Sequence, residues 1–347
     1  MKSKITIKEI AALAQVSIGT VDRVLHNRGR VSEDTRKTIE KIARENNYTS
    51  NVNARKLKLN KVFEIGVLIP DEPAFWAKHE EGVNRALDEL DFMQVRFFKF
   101  DPTDRSDATM IHALGQALDT NLDGLILAPI FHEDNQILKG IINSLDIPVV
   151  LMDTMLYGWG EQLTFIGQDA FQSGMTAGHL LSIGGLESVI IVVVNYVKAD
   201  EAKNTLNARI SGMQAFLDKQ SSSAKVVRHN LELDNLNIHE LVKQLTSFDM
   251  EVRIYVPNSR VHIIAKVIKE ENLTNRFRLV GHDLIESNRE LLLSGEIDFL
   301  LHQLPSRQGY LALQSLYKKL VMNREVSSST YLPIEVVTRC NLPYIDG

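Results

Sequence analysis

From Val62 onward the chain alternates between short apolar runs of strand length and longer amphipathic stretches of helix length, and this rhythm limits the fold more than any single residue does. The first strand-like runs are "VFEIGVLIP", "MQVRFFKFD", "DGLILAPI" and "PVVLMDT", with helix-like stretches near 75–91, 107–121 and 133–144. After "LTFIGQD" and a helix from Ala170 to about Gly184, the pattern restarts with "SVIIVVVNY", "AKVVRHNLE", "VRIYVPNS", "RFRLVGHD" and "DFLLHQLP". Strands that alternate with helices predict parallel, doubly wound sheets, and this many strands predict two of them. The expected core is therefore an α/β unit over 62–347 with two interleaved subdomains, roughly 62–165 and 186–285, and later crossovers. A length of 347 residues agrees with more than one domain.

In doubly wound sheets a ligand sits outside the carboxyl ends of the strands. That rule selects Asp71, Phe75, Trp76, His132, Asp153, Asp169, Asn258, Asp283 and Gln303. Carboxylates, amides and aromatic faces suit a sugar, whose hydroxyls need donors and acceptors and whose C–H face needs an apolar wall. Competing assignments exist for several of them. Phe75 and Trp76 are also plausible core residues of a first helix, although neighbours on a helix diverge and do not easily share one core. Asp283 stands where an aspartate favours capping the next helix.

Ahead of this core lies a segment of different electrostatics. Residues 1–61 hold 14 Lys and Arg against 6 Asp and Glu, a net of +8, whereas the remainder holds 25 against 38, a net of −13. A basic module on an acidic body is the footprint of a nucleic-acid reader joined to something that does not bind nucleic acid. The helix ends within it are marked by capping residues. Thr6 and Glu9 form a capping box ahead of an apolar stripe of Ile7, Ile10, Ala11 and Ala14. Ser17 caps a second helix after the short turn "AQVS", and Ser32 caps a third, "EDTRKTIEKIARENN". Two short helices joined by a tight turn and locked by a third make a helix-turn-helix, whose second helix enters the major groove with its first residues at the base edges. Ile18, Gly19, Thr20 and Arg23 are placed there. Glycine near a helix start costs about 1 kcal/mol against alanine, so close approach of another molecule is its expected return.

The run "TIKEIAALAQVSIGTVDRVLHNRGRVSEDTRKTIEKIARENNY" resembles the DNA-binding headpiece of the LacI/GalR family of transcriptional regulators, and "NVNARKLKLNK" resembles its hinge helix. The remaining chain is similar to a type I periplasmic-binding-protein-like core. The resemblance implies a headpiece at 1–50, a hinge helix and linker at 51–61, and an effector-binding and dimerisation core at 62–347. It implies DNA contacts from Thr6, Ser17, Asn27, Arg28 and Arg30 besides the residues above, and from Asn51, Ala54, Arg55 and Lys58 in the hinge. Leu57 takes the position of a leucine wedged between base pairs of the minor groove, a device that kinks the duplex. In the core it supports Phe75, Trp76, Asn258, Asp283 and Gln303, and it adds Arg209 of "NARISGMQAF" as a ligand clamp. Two positions depart from the family's usual pattern: Gln15 stands for a turn glycine, so that either it holds a positive φ or the turn differs slightly, and Asp22 stands where serine is common.

Catalysis has little support. No GxSxG, P-loop or HExxH spacing occurs, and adjacent pairs such as His282–Asp283 do not assemble an acid–base set. Cys340 is the single cysteine, which leaves no internal disulfide and no cysteine zinc site. The start of the chain fits neither a signal peptide nor a membrane span, so the cytoplasm is the expected location. The expectation is a homodimeric, non-enzymatic regulator without cofactor or metal and without a membrane partner. It reads a near-palindromic double-stranded operator and answers to a small ligand, most simply a carbohydrate. A purine effector is the alternative within the fold; a transporter's solute-binding protein would need export and have no use for residues 1–58, and an enzyme with a DNA tether would need a reactive constellation that the sequence does not offer.

Overall fold

The computed structural model describes residues 5–25, 31–46, 61–100, 107–129, 136–156, 163–197, 204–220, 224–232 and 238–345. Three helices open the chain, α1 (Ile7–Leu13), α2 (Ile18–Leu25) and α3 (Glu33–Glu45). Thr6 completes the capping box, its N–H donating to Glu9 Oε2 at 2.7 Å while its hydroxyl accepts from the Glu9 N–H at 3.3 Å. Ser32 accepts from the Thr35 N–H to start α3. Ile10, Ala11, Val21, Val24 and Ile39 form one small core, so each helix contributes its apolar stripe to the same centre. At the turn between α1 and α2, Gln15 has φ 54°, the left-handed backbone that glycine would adopt without strain.

The core repeats one plan twice. The first lobe runs β1 (Phe63–Pro70), α4 (Pro73–Glu89), β2 (Met93–Phe100), α5 (Asp107–Leu118), β3 (Gly124–Leu127), α6 (Gln136–Asn143), β4 (Val149–Met152) and β5 (Leu163–Gly167). The chain then crosses into α7 (Ala170–Ser182) and builds the second lobe. This holds β6 (Val189–Val197), α8 (Asn204–Lys219), β7 (Lys225–Glu232), α9 (Ile238–Thr246), β8 (Glu251–Tyr255), α10 (Val261–Glu270), β9 (Phe277–His282), α11 (Glu286–Ser294) and β10 (Phe299–His302). A second crossing leads back to α12 (Pro305–Leu320) and β11 (Ser329–Tyr331), and a third to β12 (Glu335–Val337). The strand orders are β2-β1-β3-β4-β5-β11 and β7-β6-β8-β9-β10-β12, the same permutation in both sheets. All pairings are parallel except β10 with β12. The central strands are buried on both faces, as their near-continuous Val, Ile and Leu runs require, while the edge strands are partly exposed.

The first two crossings each exchange a helix between lobes. Helix α12 packs on α4 of the first lobe, and α7 packs on α8 of the second. The backbones come so close that side chains are excluded. A Cβ on Gly82 would lie 1.8 Å from the Ser306 carbonyl oxygen, and one on Gly174 would lie 1.9 Å from the Arg209 carbonyl oxygen. One side chain ties the crossings together: Gln168, 5% exposed, donates through Nε2 to the His302 carbonyl at 2.8 Å and the Pro333 carbonyl at 2.6 Å. No described helix is long and apolar enough to cross a membrane.

Gly174→Ala is expected to lower unfolding stability by about 1–3 kcal/mol, the cost of overpacking a closed contact. Gly115→Ala, whose Cβ meets nothing within 4 Å, serves as the control, and urea unfolding of the two variants at equal ionic strength measures the difference.

Candidate effector cleft and DNA-reading helix

Ser17 fixes the entry of α2: its hydroxyl accepts from the Thr20 N–H at 3.1 Å and pairs with the Thr20 hydroxyl at 2.8 Å. Val21 and Val24 turn inward, which leaves Ile18 exposed and Gly19 and Arg23 on the outer surface. Arg23 lies along its own helix, donating through Nε to the Gly19 carbonyl at 3.1 Å. A Cβ on Gly19 would meet only Ser17 Oγ, at 3.8 Å, so nothing inside the headpiece demands glycine. Asn27, Arg28, Arg30, Asn51, Ala54, Arg55, Leu57 and Lys58 of the expected DNA surface lie outside the described residues, as does His132 of the expected ligand set.

Between the lobes the structure gathers four of the residues chosen from the sequence. Asp153 directly follows β4 and Asp283 directly follows β9, the fourth strand of each lobe, and both hold left-handed backbone, φ 67° and φ 69°. From α8, Arg209 donates to the Pro257 carbonyl at 2.7 Å and to Gln303 Oε1 at 2.7 Å. Gln303 in turn donates through Nε2 to Asp283 Oδ1 at 2.7 Å. The three side chains are almost fully sealed from solvent. Gln308 buttresses them from α12: its Nε2 donates to the Gln303 carbonyl at 3.0 Å and its Oε1 accepts from the Asp153 N–H at 2.9 Å. Thr154 donates to Asp153 Oδ2 at 3.1 Å and meets the Thr205 hydroxyl across the lobes at 3.2 Å. Asp153 Oδ1 is shielded from solvent and has no hydrogen-bond partner.

Charge in this cluster does not balance. Two carboxylates face one guanidinium, and burial drives both carboxylates toward the neutral form. Burial pushes Asp283 up to about 7 against the pull of Arg209 and Gln303, with Asp153 and Glu72 adding to the rise. Burial also raises Asp153, opposed by Arg209 and the Thr154 hydroxyl. The histidines nearby move the other way. Burial lowers His302 to about 4 and His282 well below its ordinary value, so both are neutral at pH 7. His282 Nε2 pairs with the Tyr255 hydroxyl at 2.9 Å.

The other expected contacts sit elsewhere. Trp76 is 3% exposed and stacks on His79 at 4.5 Å within the first lobe's core, so the aromatic pair divides: Phe75 stays half-buried at the cleft while Trp76 turns inward. The 3.6-residue helical period separates neighbours by about 100°, which forces that split. Asp71 is exposed and lies 3.9 Å from Lys99, outside the cluster. Asp169 is the cap of α7, accepting from the Gln172 N–H at 2.9 Å. Asn258 holds its own loop, donating to the Tyr196 carbonyl at 3.1 Å and accepting from the Arg260 N–H at 3.2 Å. Sequence reasoning missed Gln308, Thr154 and Thr205. Gln308 had a visible signal, an amide standing in the otherwise apolar stripe of Gly309, Ala312, Leu313 and Leu316.

A helix-turn-helix joined in one chain to a two-lobed, cleft-bearing core defines a ligand-responsive DNA-binding regulator. Residues 6–51 match the bacterial regulatory proteins of the lacI family, and residues 65–324 match the periplasmic binding protein domain. The chain is 23% identical over 340 residues to the ribose operon repressor of Lactococcus lactis, covering 96% of this chain and 97% of that one. It is 24% identical over 356 residues to the transcriptional repressor PurR of Klebsiella pneumoniae, covering 98% of both. A crystal structure of a putative LacI transcriptional regulator from Bacteroides fragilis superposes with a TM-score of 0.73 at 24% identity, covering 82% of this chain and 99% of the other. Over residues 65–324 the chain belongs to the periplasmic binding protein domain family, at 6–51 it carries a lacI-family regulatory domain, and it is a DNA-binding transcriptional regulator controlled by a small ligand.

The shifted groups make stability depend on pH in opposite ways. Asp283 is raised in the folded state, so the native protein binds the extra proton between about 4 and about 7 and loses stability as pH rises through that window. His302 is depressed, so its contribution is complete above about 6.5 and is lost as pH falls toward about 4. Asp283→Asn removes the first effect alone. Its stability relative to wild type is expected to climb between pH 5 and pH 7 in denaturant titrations of ligand-free protein, and a pH-independent difference would contradict the assignment.

Proposed function

We propose that two copies of this chain form a homodimer that reads a near-palindromic operator, and that a carbohydrate bound between the lobes sets its DNA affinity. The observation that carries this reading is the dry chain Arg209–Gln303–Asp283, with the unused acceptor Asp153 Oδ1 beside it, at the carboxyl ends of strands from both lobes. A buried acceptor without a partner is costly, and a hydroxyl donor relieves it. Arg209 and the two aspartates offer both donors and acceptors, which suits a polyol better than the flat, sparsely hydroxylated face of a purine. The ribose operon repressor among the relatives supports a sugar.

Ligand held by Asp153 on one lobe and by Arg209, Asp283 and Gln303 on the other favours the closed arrangement of the lobes. Closure changes the separation of the two linkers that precede residue 62 in the dimer, and so the pairing of the hinge segments at 51–61 on the minor groove. Ligand and operator are then coupled reciprocally, typically by about 1–3 kcal/mol. The headpiece divides its labour. Arg23 reads a base, Gly19 keeps the first turn of α2 bare for close approach, and Lys58 of the hinge contacts phosphate. A regulator of this kind works in the cytoplasm with its DNA.

A thermal-shift screen of the full chain against neutral sugars, sugar acids, sugar phosphates and purines tests the effector class. A true ligand at 100 times its Kd adds about 2.7 kcal/mol. Arg209→Ala is expected to abolish the sugar-induced shift while leaving operator affinity without ligand unchanged; a shift produced by purines alone would reject the carbohydrate. On an operator selected from a random pool, Arg23→Ala is expected to cost about 1–3 kcal/mol and to spare non-specific DNA, whereas Lys58→Ala weakens both alike. Fluorescence anisotropy on the two DNAs separates these outcomes.

A further inference from the structure

Next to the aspartate cluster a cavity of about 240 Å³ opens between the lobes, an order of magnitude more than one water needs. Its inner end is formed by Asp283 and His302, and Phe75 lies along one wall. Its outer end is different in charge: Lys78 and Arg85 reach it from α4 and Arg307 from α12, against the single carboxylate of Glu81. Lys78 Nζ is 2.9 Å from Glu81, which cancels one of the cations. Arg85 rests its guanidinium 5.0 Å over the Tyr310 ring, a contact that orients it without neutralising it. Arg307 projects from the first turn of α12, a helix start whose N-cap Leu304 supplies no side-chain acceptor. The backbone N–H groups there add partial positive charge on the same side.

A neutral sugar explains the inner end and leaves the outer end without a purpose. Glu89 reaches this side only through the Tyr310 hydroxyl, so two guanidinium groups at one cavity mouth, neither in a direct ion pair among the described residues, match an oxyanion, because the planar fork binds phosphate or carboxylate oxygens in pairs. We infer that the effector is an anionic polyol, a sugar bearing a phosphate ester or a carboxylate, with its hydroxyls at Asp283 and its anionic group between Arg85 and Arg307. This rests on the reading of the cleft as the effector site. It adds a direction to the ligand, hydroxyls inward and charge outward.

Isothermal titration of the full-length protein with ribose, ribose 5-phosphate, glucose, glucose 6-phosphate, glucuronate and inorganic phosphate tests it. At least one sugar acid or sugar phosphate is expected to bind tenfold or more tighter than its neutral parent. The double variant Arg85→Ala with Arg307→Ala is expected to erase that preference, and whether phosphate esters or carboxylates show it identifies the anion. Equal affinity for neutral parent and anion, or a preference that survives the double variant, overturns the inference and leaves the carbohydrate cleft standing. Inorganic phosphate binding as tightly as the sugar phosphate overturns the polyol half. Sugar binding that is indifferent to Asp283→Asn and Arg209→Ala, or no binding by any of the six, removes the cleft reading and this inference with it.

Discussion

The architecture depends on the Gln168 side chain, whose amide donates to carbonyls on both of the other crossings between the lobes. A fold that exchanges helices between two sheets has to pass the chain between them three times, and these passages are the only covalent links that hold the lobes in register. At these passages backbone carbonyls, those of His302 and Pro333 among them, meet the nearly buried Gln168 side chain. Gln168 satisfies two of them at once, so the three segments behave as one narrow joint rather than three independent loops. In each lobe one helix pair is packed backbone to backbone, α4 with α12 through Gly82 and α7 with α8 through Gly174, and has little capacity to deform. Relative motion of the lobes is thereby confined to the joint.

The cleft beside that joint is electrostatically unresolved by design of its surroundings. Arg209 attracts Asp153 and Asp283, but the loss of water outweighs it for Asp283, which is held near neutrality in its proton equilibrium. The unsatisfied Oδ1 of Asp153 belongs to the same imbalance. Strain of this kind persists only where the surroundings over-determine it, and here Gln308 holds the Asp153 N–H and the Gln303 carbonyl while the Gln303 side chain holds the Asp283 carboxylate. A ligand that supplies hydroxyl donors relieves what the protein alone cannot.

Much of this was legible in the sequence because it rests on local signals. Capping residues Thr6, Ser17 and Ser32 start their helices where spacing placed them, and Gln15 takes the positive φ that the turn demands. Ten strands were readable as apolar runs; β11 and β12, three residues each, are too short to leave a pattern and exist because the sheets offer open edges. Strand-end logic found Asp153, Asp283 and Gln303 but could not separate them from Asp169 and Asn258, which stand at equivalent ends and serve their own backbones. That distinction is tertiary: it depends on which lobe faces which, not on residue type. Trp76 was ambiguous for a similar reason, since helix phase and not composition decides which of two neighbouring aromatics is interior.

The parallel strands also set a lever arm. The cleft lies at their carboxyl ends, so β1 enters the first lobe at the opposite end, with the DNA-reading module attached just before it. Eight residues of strand, at about 3.3 Å each, separate that entry point from the cleft by roughly 26 Å. A rotation of about 10° at the joint therefore carries the linker by about 4–5 Å over such an arm. Displacements of that size are comparable to the spacing between neighbouring strands, so a small rotation at the joint is magnified at the point where the core takes over from the DNA-binding module.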